Sequence, residues 1–415
     1  FEELKQCEID VLTFSDNWEL KKKMDTWDPQ IDVVKVPMGM AKSLVDNKFV
    51  VPLDEVLDPE NINRIKNDYF LFKLGVFMEK VYYIPRKFET RIMVYRKSRL
   101  REAGKGWRSM RSGIEAVLKN DFSITLPDDY KLERDPNEWN YLDLLVAGYY
   151  WANKAYNETK TGRIAHRGKE YSGTAIGLMD RCFQMGAEAK DILNPGSRYF
   201  FNVLFWESVM AGNNLYNTES WRQGWDGKDI WKAMREEKIF LSFLSQIDCY
   251  FLHGISDSTL FLKDPEDLGF ALMPEAVLAD GKQKGSRSIS TGGWFWGIGS
   301  TSTNPGLAFE LITFITNREN QLAECRRFGM IPVRNDILKA APPKFDQDWK
   351  IDIYNISLKQ LRTNKGCRLP PAENIEEVEK AYIGMWKTVL AASRKTPVKQ
   401  MQLKFLMKRK KQSGK

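Results

Sequence analysis

A chain of 415 residues, 43% of them hydrophobic, is long enough for two domains with separate cores, and one solid globule of that length would be unusual. Its net charge of +8 comes from 63 Lys and Arg against 55 Asp and Glu, a small excess on a mixed-sign surface that argues against nucleic-acid binding. The one concentrated basic stretch, Lys404 to Lys415, reads as the solvated end of a helix.

Five scattered cysteines, Cys7, Cys182, Cys249, Cys325 and Cys367, exclude a dense disulfide framework and a Cys-x-x-Cys metal clip. One long-range bridge stays open as a possibility in an oxidising compartment. No run of roughly 18 or more apolar residues is present, so no membrane span is expected.

In chain order, residues 1–6 read as the last turn of a helix and Ile9 to Phe14 as a buried strand. Trp18 to Trp27 reads as a helix and Ile31 to Val36 as a strand, and this alternation predicts an α/β sheet. Met38 and Gly39 follow that strand's carboxyl end, where open α/β sheets hold ligands, so both are candidate site residues. Between Lys80 and Lys97 the pattern predicts a strand from Val81 to Ile84, a bend at Pro85 and a second strand from Ile92 to Tyr95. Arg86 to Thr90 is then a loop.

After Gly106-Trp107 the strand alternation stops, and residues 108–250 read as helical and rich in aromatics, broken at Thr159 to Gly162 and at Asn194 to Ser197. Trp206 is the candidate ligand aromatic of this region, with core packing as its alternative, and Asp226 a further candidate. Leu278 to Arg287 reads as a polar surface loop.

The stretch Ser290 to Leu338 has a reason at each junction. Trp294-Phe295-Trp296 suits a strand, with both tryptophans on one face. Gly292 and Gly293 let a ligand or a backbone come close, and two indole faces can either stack on a planar solute or pack in a core. Asn304 can cap the following helix, Pro305 can open it, and Gly329 can close the next one in a left-handed conformation.

Catalytic signatures are absent. Two distant histidines, His166 and His253, form no metal or hydrolase motif, and no dinucleotide or Walker loop occurs, so neither a cofactor nor a metal nor an enzyme is expected.

The segment from TGGWFW through NPGLAFELITFITNRENQ to FGMIPVRNDIL resembles the C-terminal signature of the extracytoplasmic solute-binding proteins of ABC importers, in particular the carbohydrate-binding, maltose-binding-protein-like family. GVFMEKVYYIPRKFETRIMVYRKSRLREAGKGW is similar to a second family segment, although Arg96 stands where the family has Asn. Phe1 to Leu57 resembles the start of such a receptor after its first strand. The family begins with one more strand, so either that strand lies outside the numbered chain or another segment replaces it. The family's signal peptide, often a lipoprotein signal, is also not seen, which the resemblance explains by a mature or trimmed chain.

The resemblance implies an α/β, two-lobe fold of type II, with discontinuous lobes, three chain crossings and an interlobe ligand cleft. The expected lobes are 1–97 with 262–308, and 98–261 with 309–415. Residues 246–260 would make the return crossover. The resemblance also implies that Trp294 and Gly293 meet a sugar, that Trp296 sits deeper, and that Glu89 accepts hydroxyl hydrogen bonds. Arg334, with Arg86 and Lys87, would suit an anionic solute. The expected function is a monomeric periplasmic or extracellular receptor that closes on a mono- or oligosaccharide and delivers it to ABC permease subunits. The alternatives are the same fold binding a charged solute, either a phosphorylated polyol or a polyamine, and a sensor or adhesion component that presents the liganded form to a partner protein.

Overall fold

The computed structural model describes residues 1–14, 17–25, 30–132, 135–156, 159–254, 262–364, 367–370, 372 and 374–392. The basic tail and residues 255–260 of the expected crossover lie outside them. Eight strands occur among the described residues: β1 (Val33–Pro37), β2 (Val76–Phe77), β3 (Lys80–Val81), β4 (Tyr83–Glu89), β5 (Arg91–Arg96), β6 (Leu241–Ser245), β7 (Leu268–Ala271) and β8 (Gly292–Ile298). The chain divides into unit 1 (1–89, 291–351 and 369–376) and unit 2 (90–290, 352–368 and 377–415).

This division falls elsewhere than the expected lobe boundaries, and strand pairing explains the difference. β5 pairs antiparallel with β6 on one side and β7 on the other, which draws Arg91–Arg96 and Leu268–Ala271 into unit 2. Residues 309–351 stay in unit 1 because Phe88 and Phe70 donate backbone hydrogen bonds to Ile331 and Val333, which ties that return segment to β4 and its neighbour.

Unit 1 is built on an antiparallel sheet in the order β1-β8-β4. Its core face follows from the two-residue period of a strand: Val34, Val36, Tyr83 and Phe295 point the same way and pack against Leu44, Val45 and Val50. Phe295 stacks on Tyr83 at 5.3 Å, and the Tyr83 hydroxyl donates to the Ala41 carbonyl at 2.9 Å. Beyond β8 the turn chemistry acts as expected. The Asn304 side chain accepts from the Leu307 N–H, Pro305 opens the helix Pro305–Ile315, and Gly329 at φ 68° closes the helix Arg318–Phe328.

Two readings of this unit need correction. Ile9 to Phe14 forms no strand, and Val11 and Leu12 are 77% and 63% exposed. An apolar run is buried only where neighbours supply hydrogen bonds and contacts, and no described strand pairs with this one. Arg86 to Glu89 is not a loop either: β4 runs straight through Pro85, with a bulge between Pro85 and Lys87 that leaves Arg86 as the extra residue. An edge strand tolerates a proline, since the missing N–H costs no central ladder bond.

Unit 2 surrounds the sheet β6-β5-β7 with helices, among them Tyr141–Asn153, Ser172–Gln184 and Arg198–Gly212. β6 lies inside the stretch that reads as mainly helical; its short apolar run does not alternate. A buried network fixes the helices. Glu207 accepts from Arg181, from the Tyr216 hydroxyl at 3.1 Å and from the Trp386 indole at 2.7 Å, and contacts His166 Nε2 at 3.0 Å. Burial, aided by the Arg181 charge, holds the His166 imidazole well below its usual range and therefore neutral. No disulfide is present among the described residues.

A Cβ on Gly293 would lie 2.4 Å from the Lys87 carbonyl oxygen and 2.7 Å from Met38 Cε. Gly293→Ala should therefore lower unfolding free energy by about 1–3 kcal/mol, read from chemical denaturation; an unchanged midpoint would mean that β8 and β4 separate freely.

A candidate solute-binding face on unit 1

The sheet face opposite the core is polar and aromatic. Along β8 the residues alternate, with Phe295 buried and Trp294 and Trp296 half-buried on the other side. Register brings their neighbours: Lys35 of β1 lies opposite Trp296, and Lys87 of β4 lies opposite Trp294. Glu89 lies opposite Gly292.

Charges crowd this face. Lys35 Nζ sits 4.7 Å from the centroid of the Trp294 ring and Lys87 Nζ 5.9 Å from the same ring, while the Arg86 guanidinium lies 5.7 Å from Trp296. Such cation–aromatic contacts stabilise by about 0.5–1 kcal/mol each when exposed, and more when desolvated. Two of the cations are paired: Lys87 with Glu89, and Arg86 with Glu324 at 2.5 Å from the helix Arg318–Phe328. Lys35 has no ion-pair partner among the described residues. Burial, then the Arg86 and Lys87 charges, bring its ammonium down from 10.5 to about 8. Two buried donors on the same face, Arg86 Nε and Trp296 Nε1, also find no acceptor among the described residues.

Trp294, Trp296 and Glu89 thus come together as one surface. Gly293 points to the core side, where Met38 packs against it, so Met38 supports the strand from behind rather than facing outward. Gly39 has open space over its Cα. Arg334 belongs to a different cluster, pairing with Asp68 at 3.4 Å and Asp336 at 3.0 Å and lying over the Tyr69 ring, so its charge is already engaged. Trp206 is a core residue of unit 2: only 2% exposed, it donates to the Val277 carbonyl and packs on Phe122 and Tyr141. Asp226 caps the helix Gly227–Arg235 through a capping box. Both are removed from the candidate site by this packing.

Sequence reasoning passed over Lys35. The signal was available: it is the lone charge in the apolar run Val33 to Val36, at the position that alternation places away from the core. Among the described residues, no group of three His, Cys, Asp or Glu side chains is placed to hold a metal ion, and no helix is long and apolar enough to cross a membrane.

The fold is the two-lobe α/β fold of type II periplasmic binding proteins, and residues 19–352 match the family described as bacterial extracellular solute-binding protein. The chain belongs to that family. No curated protein sequence matches it significantly. Similar solved structures include an ABC substrate-binding protein from Listeria monocytogenes in complex with cycloalternan, with TM-score 0.67, 13% identity and coverage of 100% of this chain and 93% of that one. Maltose-bound MalE3 of T. maritima aligns with TM-score 0.66 and 14% identity over 94% of this chain and 86% of its own. An ABC transporter solute-binding protein from Agrobacterium vitis S4 with bound D-mannitol aligns with TM-score 0.62 and 16% identity over 96% and 88%. At these identities the likeness establishes the fold.

Two outcomes test these placements. Trp206→Ala should cost about 3–5 kcal/mol of stability in urea denaturation, the loss expected of a buried tryptophan; a loss under about 1 kcal/mol would return the residue to a surface role. For Lys35, the folded chain gives up a proton near pH 8 that the unfolded chain keeps to about 10.5, so native stability rises with pH across that window. The stability advantage of Lys35→Met over the native protein should therefore shrink between pH 8 and 10.5. A difference independent of pH would mean that the ammonium is fully solvated.

Proposed function

We propose that this chain is the receptor component of an ABC importer: it captures a carbohydrate outside the cytoplasm as a monomer, closes its two units over it and presents the closed form to the permease subunits, without catalysis. The observation that carries this reading is the pair Trp294 and Trp296, held half-exposed on one face of β8 with hydrogen-bonding side chains around them. An aromatic that only packed would turn fully inward, as Phe295 does on the opposite face. The family match supports the receptor role, and the bound cycloalternan, maltose and D-mannitol of the similar structures support the solute class.

Magnitudes are adequate. A sugar ring on an indole gains on the order of 1 kcal/mol beyond its buried area, and each hydrogen bond to a charged side chain roughly 1.5–3 kcal/mol, before the cost of ordering. A few such contacts reach micromolar affinity. Closure then follows as a population shift, because solute held by both units favours the closed form.

Titration calorimetry over a broad saccharide library should find at least one ligand, and Trp294→Ala should weaken its binding by at least about tenfold with little change in thermal midpoint. Absence of heat from every saccharide would end the carbohydrate assignment. A large midpoint loss at unchanged affinity would make Trp294 a packing residue.

A further inference from the structure

Charge on the β8 face does not balance. Lys35, Arg86 and Lys87 meet there, and among the described residues only Glu89 and Glu324 answer them, each already paired with one cation. One positive charge is left over, and it is the Lys35 ammonium above Trp294. Hydrogen bonding is unbalanced in the same sense. Among the described residues Arg86 Nε and Trp296 Nε1 find no acceptor, whereas no carboxylate oxygen of this cluster is among the buried atoms left without a partner. The face therefore has donors and positive charge to spare and is short of acceptors.

Each solute class meets this imbalance differently. A neutral sugar would offer Lys35 hydroxyl acceptors but no counter-charge, so the ammonium would lose water with its charge uncompensated. A polyamine would add cations to three already present. A carboxylate brings one negative charge and two acceptor oxygens, matching the one uncompensated ammonium. A phosphate monoester, carrying close to two charges, would overcompensate a net charge of one. Lysine suits this role as a compact point charge that needs no bidentate geometry.

We infer that the solute of this face is an acidic saccharide of the uronic-acid class, whose carboxylate pairs with Lys35 while a ring face stacks on Trp294. The inference rests on the reading of this face as a saccharide site and narrows it. Binding of this kind couples to protonation. The groups that face Lys35 are Arg86, Lys87 and Glu89 from β4 and Glu324 from the helix Arg318–Phe328. A ligand carboxylate adds a negative charge to that set and raises the ammonium from about 8, so above that pH uronate binding takes up a proton.

The test is calorimetry on the intact chain with D-glucuronate, D-galacturonate and their disaccharides, each set beside its neutral hexose counterpart, and with glucose 6-phosphate as the phosphate arm. At least one uronate should bind ten or more times tighter than its neutral counterpart, and the preference should weaken as salt is raised. At pH 9, measurements in two buffers of different ionisation enthalpy should show proton uptake by the native protein and none by Lys35→Met, whose preference for the uronate should fall toward one. Neutral sugars binding as tightly as uronates, an unchanged preference in Lys35→Met, or tighter binding of the sugar phosphate would each overturn the inference while leaving a carbohydrate receptor in place. Silence from every saccharide, acidic or neutral, would instead end the carbohydrate assignment on which the inference rests.

Discussion

The two-sidedness of β8 is the constraint on which the rest of unit 1 depends. A strand sends successive side chains to opposite faces, so one seven-residue segment, Gly292–Ile298, supplies both the central core residue and the candidate binding aromatics. Phe295 faces inward against Tyr83, while Trp294 and Trp296 face outward. A shift of register by one residue would bury the tryptophans and expose the phenylalanine. The core thus pins the site: the stacking of Phe295 behind the sheet sets the direction in which both indoles point.

Flanking strands turn this arrangement into a chemical surface. β1 contributes Lys35 and β4 contributes Arg86, Lys87 and Glu89, and the bulge after Pro85 spaces the last three. Glycines at 293 and 297 keep the rear of β8 thin enough for Met38 and Tyr83 to close against it. Unit 2 spends its aromatics differently. Trp206, Trp139, Trp151 and Trp386 are all buried, and a hydrogen-bonded carboxylate, Glu207, joins its helices from within.

Local features were the most legible part of the chain. The Asn304 cap, the opening Pro305, the left-handed Gly329 and the shared face of Trp294 and Trp296 follow from turn chemistry and side-chain period, which act within a few residues. Features that depend on distant partners were not. Ile9 to Phe14 has the composition of a buried strand yet forms none and leaves Val11 and Leu12 exposed, because composition does not provide a pairing neighbour. Pro85 reads as a bend and sits inside a strand, because its position at a sheet edge spares the missing N–H. Trp206 and Arg334 carry suitable chemistry, yet one is consumed by aromatic packing and the other by Asp68 and Asp336.

By itself the sequence determined an α/β chain of two units, its resemblance to the solute-binding family, the absence of recognisable catalytic motifs, and the pair of tryptophans on one side of a strand. Tertiary structure alone decided where the units divide, since β5 joins β6 and β7 across more than a hundred residues of chain. It also decided which charges meet the tryptophans: Lys35 and Trp294 are far apart in sequence, and only the antiparallel register of β1 on β8 brings the ammonium over the ring. Short-range rules act on neighbours along the chain, whereas the balance of charge and hydrogen-bond donors on a surface is a property of neighbours in space.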